Sequence, residues 1–184
     1  MSQSSNLDDQ LRELHGRVAY THKTHEKMAD AYIRQYKRIK NAEIVLSSLA
    51  TSNLVLSILG DSKLGTIIGA IFSTVLLALT LYFKEASLAE QAQKHTAVAS
   101  ELWCAREQLL SLLVDMKDGL PSEEIRRQRD VINKALVEVY KGAPRTDQRA
   151  YAAAQRALKT DEDLYFSDAE LDLMLPKMLR RTNI

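Results

Sequence analysis

Charged side chains stop after Glu43 and return only at Asp61; they stop again after Lys63 and return at Lys84. The two runs between them, AEIVLSSLATSNLVLSIL over 42–59 and LGTIIGAIFSTVLLALTLYF over 64–83, are each long enough for about 27 to 30 Å of helix, the thickness of a bilayer's hydrocarbon core. Gly60-Asp61-Ser62-Lys63 between them is too short to join anything but antiparallel neighbours. The pattern predicts a hairpin of two membrane-spanning helices. A hairpin buried in a soluble bundle is the competing reading, and it would normally carry charge along one face of each helix. In the first run Ser47, Ser48, Thr51, Ser52, Asn53 and Ser57 make the insertion signal moderate.

Outside the hairpin the spacing is helical throughout, and no stretch alternates as a strand would. From Leu7 a seam runs through Leu11, Leu14, Val18, Thr21, His25, Met28, Tyr32 and then Tyr36 or Ile39 in steps of three and four. With neither glycine nor proline between Gly16 and Gly60, one helix is expected to run straight into the membrane. The stretch 84–117 likewise lacks breakers and repeats apolar positions at Ala92, Val98/Ala99, Leu102/Trp103, Leu109/Leu110, Leu113 and Met116, so the second span is expected to continue as the other half of a stalk. Gly119-Leu120-Pro121 ends it, and Ser122 is expected to cap the next helix, Glu123 to Lys141. Gly142-Ala143-Pro144 closes that one. Another is expected near Thr146 to Lys159 with Tyr151, Ala154, Ala157 and Leu158 inward. Ser167 and Glu170 spell a capping box with Phe166 and Leu171 as a staple, and Pro176 must end or kink that last helix. The expected fold is all-α: a transmembrane helical hairpin whose long helices extend into a cytosolic bundle. It divides into an amphipathic helix over 1–41, the hairpin over 42–83, and a helical region over 84–184.

Charge then orients the hairpin. Lys37, Arg38, Lys40 and Lys84 flank its open end against Lys63 alone at the turn, so the positive-inside rule places both termini in the cytoplasm. The overall net charge of +1 gives no pull toward nucleic acid, and acids are interspersed among Arg126, Arg127, Arg129, Arg145 and Arg149, so no direct nucleic-acid binding is expected. The N-terminus lacks the apolar stretch of a secretory signal. Cys104, the single cysteine, suits a small core position beside Trp103. No phosphate-cradling glycine loop, nucleophile elbow or paired-cysteine motif occurs. His22, His25 and Glu26 lie close in sequence on the first helix, but polar residues in such a seam more often set register. No catalytic, metal or cofactor-binding residue is assigned, and the chain is expected to be no enzyme.

The informative constellation is inside the hairpin. Gly65, Gly69 and Ser73 recur every four residues, a small-residue stripe on which another backbone, from the same chain or another, can pack closely. On the first span Ser47, Ser48, Thr51 and Ser52 fall to one side and Asn53 and Ser57 to the other. A lone hairpin cannot bury both, whereas an oligomer could turn one toward a wet lumen; alternatively the hydroxyls bond back to their own helix.

The runs LRELHGRVAYTHKTHEKMADAYIRQYKRIKNAEIVLSSLATSN, ELWCAREQLLSLL and AYAAAQRALKTDEDLYFSDAELDLMLP, with the glycine-punctuated second span, resemble the SLATT domain, the SMODS and SLOG-associating two-transmembrane effector. The resemblance extends over roughly Leu7 to Arg180. It implies a multi-pass effector in the bacterial inner membrane, similar to those encoded beside nucleotide second-messenger synthases, as in cyclic-oligonucleotide-based defence, or beside defence reverse transcriptases. It implies oligomers that permeabilise the membrane on a cyclic-nucleotide or partner signal and stop growth of the infected cell. A membrane-anchored scaffold recruiting the synthase or reverse transcriptase is the alternative.

Overall fold

The computed structural model describes residues 2–60 and 63–181, excepting the side chains of residues 2–5, 57, 59 and 85. The described residues form helices with no strand among them. α1 is one unbroken helix, Ser2–Gly60, of 59 residues, about 88 Å long at 1.5 Å per residue. It holds no proline to remove a backbone N–H and no glycine between Gly16 and Gly60, so the helix continues unbroken to Gly60.

α2, Lys63–Ala86, returns along α1, and α3, Leu88–Lys117, continues beside it. The antiparallel register is fixed at two points. Gly69 lies against Ala50 and Asn53, and Thr80 Oγ1 donates to Glu43 Oε1 at 3.3 Å. The expected uninterrupted second helix is corrected at one residue: Ser87 adopts φ 44 and ψ 41, separating α2 from α3. A non-glycine residue in that region costs about 1 kcal/mol or more, and no breaker in the sequence announces it. The single non-helical residue re-phases the chain, and α3 then presents Leu88, Ala92 and His95 as buried positions.

At the end of α3, Gly119 takes φ 96 and Leu120 N–H reaches back to Asp115 O at 3.0 Å, closing the helix as a glycine at that position allows. α4, Ser122–Gly142, starts one residue earlier than expected. Pro121 rather than Ser122 stands at the cap and no side chain caps the helix; Glu124 and Ile125 N–H are satisfied by the Pro121 carbonyl. α5, Gln148–Lys159, is capped by Asp147, whose carboxylate accepts Ala150 N–H at 2.7 Å. It turns Ala150, Ala154 and Ala157 inward, while Tyr151 is half exposed and stacks on Tyr20 at 6.0 Å. α6, Asp168–Met174, has the capping box that its sequence spells, and the helix stops before Pro176.

Leu7, Leu11 and Val18 of α1 meet Val98, Leu102, Leu109 and Leu112 of α3 and Ile125, Ile132 and Leu136 of α4, forming the main core. α5 covers α1 from another side. Past Met28 the α1 seam thins: Tyr36 is exposed and Ile39 is half-buried, so the inward position there is Ile39.

Candidate functional site

Two regions hold the residues that chemistry would use. The first is the apolar hairpin. Over the α2 stretch an 18-residue window reaches a mean hydropathy of 2.2 with only 6% of it buried within the fold. A core helix of a soluble bundle hides its apolar surface; this one presents Ile67, Ile71, Leu77 and Leu81 outward, as lipid requires. It is the one helix among the described residues long and apolar enough to cross a membrane. α1 from Ala42 to Gly60 is also apolar on its outside, at Ile44, Leu54 and Leu56, but its hydroxyl-rich sequence dilutes the signal.

Of the small-residue stripe, Gly69 is buried, Gly65 half-buried and Ser73 exposed. A shallow groove of about 290 Å³ between α1 and α2 is lined by Ala50, Thr51, Leu54, Gly69 and Ser73. Asn53 is at the same seam and donates its Nδ2 to the Leu49 carbonyl at 2.8 Å. On the outside of α1, Ser47, Ser48, Thr51 and Ser52 line an open concavity of about 640 Å³. Their hydroxyls bond back one turn: Ser48 to Ile44 O at 2.8 Å, Thr51 to Ser47 O at 2.9 Å, Ser52 to Ser48 O at 2.8 Å. The Ser57 side chain and the turn residues Asp61 and Ser62 lie outside the described residues.

A Cβ added at Gly69 would lie 3.5 Å from Asn53 Cβ and 3.6 Å from Ala50 O, ordinary van der Waals contact. Gly69→Ala should therefore fit without moving α1, whereas Gly69→Leu should force the helices apart at a cost of about 1 to 3 kcal/mol. Dipolar broadening between spin labels at Ile44 and Leu81, in a Cys104→Ser background, reads this directly: it should persist in the alanine variant and fall in the leucine variant.

The second region is a buried histidine seam where α1 meets α3. His25 Nδ1 and His95 Nδ1 share a hydrogen bond of 2.9 Å, with the rings 4.9 Å apart. His22 Nδ1 is 2.9 Å from the Ala99 carbonyl. A carbonyl only accepts, so His22 Nδ1 carries a proton and donates; Nε2 is buried without a hydrogen-bond partner, 3.7 Å from Glu26 Oε1. Tyr32 stacks on His95 at 5.6 Å, and Trp103 leans on His22 at 5.6 Å with the Arg106 guanidinium over its ring at 4.7 Å. Burial drives His25 down to about 4, with His95 and His22 adding to the effect. His95 is also lowered by burial, against an opposing pull from Asp147. Burial thus favours the neutral form of both His25 and His95.

Beside it, Lys23 Nζ reaches Glu26 at 2.8 Å and Asp163 at 2.9 Å, and Lys27 is 3.7 Å from the same Asp163 oxygen. Burial alone would lower Lys23, but the Glu26 and Asp163 hydrogen bonds raise it above an ordinary lysine. Lys23, in turn, lowers Asp163. Glu162 and Leu164, on either side of Asp163, have φ 54 and 71. Neither is glycine, so the loop after α5 is held on α1 in a strained form. An open cleft of about 570 Å³ runs along this face, with His22, Lys23, Lys27, Ser100 and Trp103 in its walls. Among the described residues, no group of three or more His, Cys, Asp or Glu is gathered as a metal ion would need.

His95 and Asp163 escape a reading of the sequence near His25, being 70 and 138 residues away. His95 was nevertheless within reach, because it falls between Ala92 and Val98 on the seam of α3.

Residues 7–170 match the model of the SMODS and SLOG-associating 2TM effector domain family 4. No curated protein and no solved structure matches the chain.

Proposed function

The chain belongs to this SLATT family of membrane effectors in anti-phage defence, and on that premise we propose that it spans the bacterial inner membrane twice with both termini cytoplasmic. In this reading, several copies assemble and, on a nucleotide second-messenger or partner signal, open a pore or disrupt the bilayer and stop growth. The observation that carries the reading is the combination in one rigid α1 of buried stalk residues at one end and an outward polar strip, Ser47, Ser48, Thr51 and Ser52, in the apolar segment at the other. Hydroxyls bonded to their own helix are tolerated in lipid, yet a strip of four on one outer face is better matched by neighbouring chains or a wet lumen. An unbroken helix also carries movement of the bundle into the membrane without a hinge to absorb it.

Co-expression with a nucleotide second-messenger synthase, read by a membrane-potential dye, tests this. Depolarisation is expected after activation. Ser48→Leu with Ser52→Leu should retain resistance to alkaline extraction yet lose depolarisation. An intact potential after activation sinks the pore reading.

A groove of about 780 Å³ between α3 and α4, with Trp103, Leu112, Val131 and Ile132 in its walls, favours a second reading: an anchored scaffold recruiting a reverse transcriptase or nucleotide synthase. An intact potential together with a partner that co-purifies stably with the full chain selects it.

A further inference from the structure

The loop after α5 puts a carboxylate where a free anion could sit. Lys23 and Lys27, one turn apart on α1, converge on a single oxygen of Asp163 at 2.9 and 3.7 Å, with their side chains only 11% and 27% exposed. Glu26 takes the other side of Lys23 at 2.8 Å, and Asp30 pairs along α1 with Arg34 at 4.0 Å. Two lysines against one remaining carboxylate leave a single positive charge, and Asp163 balances it. It serves Lys27 poorly, because one oxygen is shared by both ammonium groups. It also does so from a strained loop, with Glu162 at φ 54 and Leu164 at φ 71 on either side.

We propose that the cleft between α1 and α3 binds the phosphate group of a small soluble ligand, and that Asp163 is its built-in competitor, displaced when the phosphate enters. A phosphate ester carries a charge of about −1.5 to −2 at neutral pH on three acceptor oxygens. It can therefore engage Lys23 and Lys27 through separate oxygens, where the carboxylate offers them one. A second mark of a site is His22, which stands in the wall of this cleft, is 4% exposed, and has its Nε2 buried without a hydrogen-bond partner. A phosphate satisfies that atom in either protonation state: its oxygens accept from an N–H, and the hydroxyl of its monoanion donates to a lone pair.

The inference deepens the signal-responsive reading above and rests on it for its consequence, though not for the binding itself. Lys27 lies about 22 Å along α1 from the start of the apolar run at Ala42, beyond the reach of a lipid headgroup, so the phosphate comes from solution. Its entry breaks the contact between the loop after α5 and α1. Because α1 continues without a break to Gly60, this exchange takes place on the helix that carries the first apolar run.

Full-length protein in phospholipid-free detergent, titrated with inorganic phosphate at constant ionic strength and followed by the fluorescence of Trp103, which lines the cleft, tests the inference. A saturable change is expected. Asp163→Asn removes the competitor and should tighten binding about tenfold. Lys27→Gln, at a partly exposed position, should weaken it about tenfold through the loss of one charge-assisted hydrogen bond. Spin labels on Gln35→Cys and Tyr165→Cys, both exposed, in a Cys104→Ser background should move apart as phosphate is added. No saturable response in either the parent chain or Asp163→Asn overturns the site, and so does an affinity that Lys27→Gln leaves unchanged. Equal affinity in Asp163→Asn and the parent chain, or an unchanged label distance at saturation, overturns the competitor role of Asp163. Depolarisation of cells by a chain that binds no phosphate when purified overturns this inference alone. Phosphate binding together with an intact potential after activation sinks the pore reading alone.

Discussion

Between pH 6.5 and 4 the folded protein is expected to lose about 2 to 3 kcal/mol through His25, the lower figure allowing for residual solvent screening. The folded-state value lies at about 4 against 6.5 for a free side chain. In that interval the unfolded chain binds a proton that the folded chain refuses, so falling pH favours unfolding. Above pH 6.5 both states are neutral and the contribution to stability is complete; below 4 both are protonated and nothing further is lost. The geometry gives the same answer. Of the two Nδ1 atoms 2.9 Å apart, one must donate and the other accept. Protonating the acceptor sets N–H against N–H in a seam that also holds His22 and Tyr32, with Asp147 opposing only at His95. Chemical unfolding in detergent, followed by the fluorescence of Trp103, gives the profile. His25→Leu with His95→Leu removes both partners together, which avoids stranding one buried polar group, and should flatten the acid limb. An unchanged limb in the double variant would assign the pH dependence elsewhere.

Leu109→Ala should cost about 2 to 5 kcal/mol, and Leu110→Ala under about 1 kcal/mol. The two are adjacent leucines on α3, yet Leu109 is 0% exposed in the core and Leu110 is 42% exposed. Removing Leu109 leaves a cavity among residues of α1, α3 and α4 at once, and three rigid helices cannot collapse to fill it. The same unfolding assay compares them. Equal losses at the two sites would mean that α3 is rotated from the position described.

These leucines also mark how far periodicity alone could go. Spacing placed the helices, their approximate ends, the hairpin and the Ser167–Glu170 capping box, because helix length, caps and apolar runs are local properties of the chain. The choice within Val98/Ala99, Leu102/Trp103 and Leu109/Leu110 was left open by a period of 3.6. Packing resolved it: Val98 and Ala99 are both buried, while Leu102 and Leu109 are inside and Trp103 and Leu110 partly out. Ser87 and the uncapped start of α4 were illegible for a related reason. A left-handed serine and a cap supplied by a proline carbonyl are set by the phase each helix needs against its neighbours.

The candidate site divides in the same way. By itself the sequence determined that the chain carries two bilayer-length apolar runs flanked by charge, and that Gly65, Gly69, Ser73 and the hydroxyls of the first run sit at helical spacing. Only the tertiary structure decided that Asn53 lies on the inner seam with Gly69 while Ser48 and Ser52 face outward, because that depends on the rotation of α1 against α2. It alone joined His25 to His95 and Lys23 to Asp163. Apolar length and charge are written residue by residue, whereas contacts between residues 70 or more apart exist only once the antiparallel register of α1 against α2 and α3 has been set.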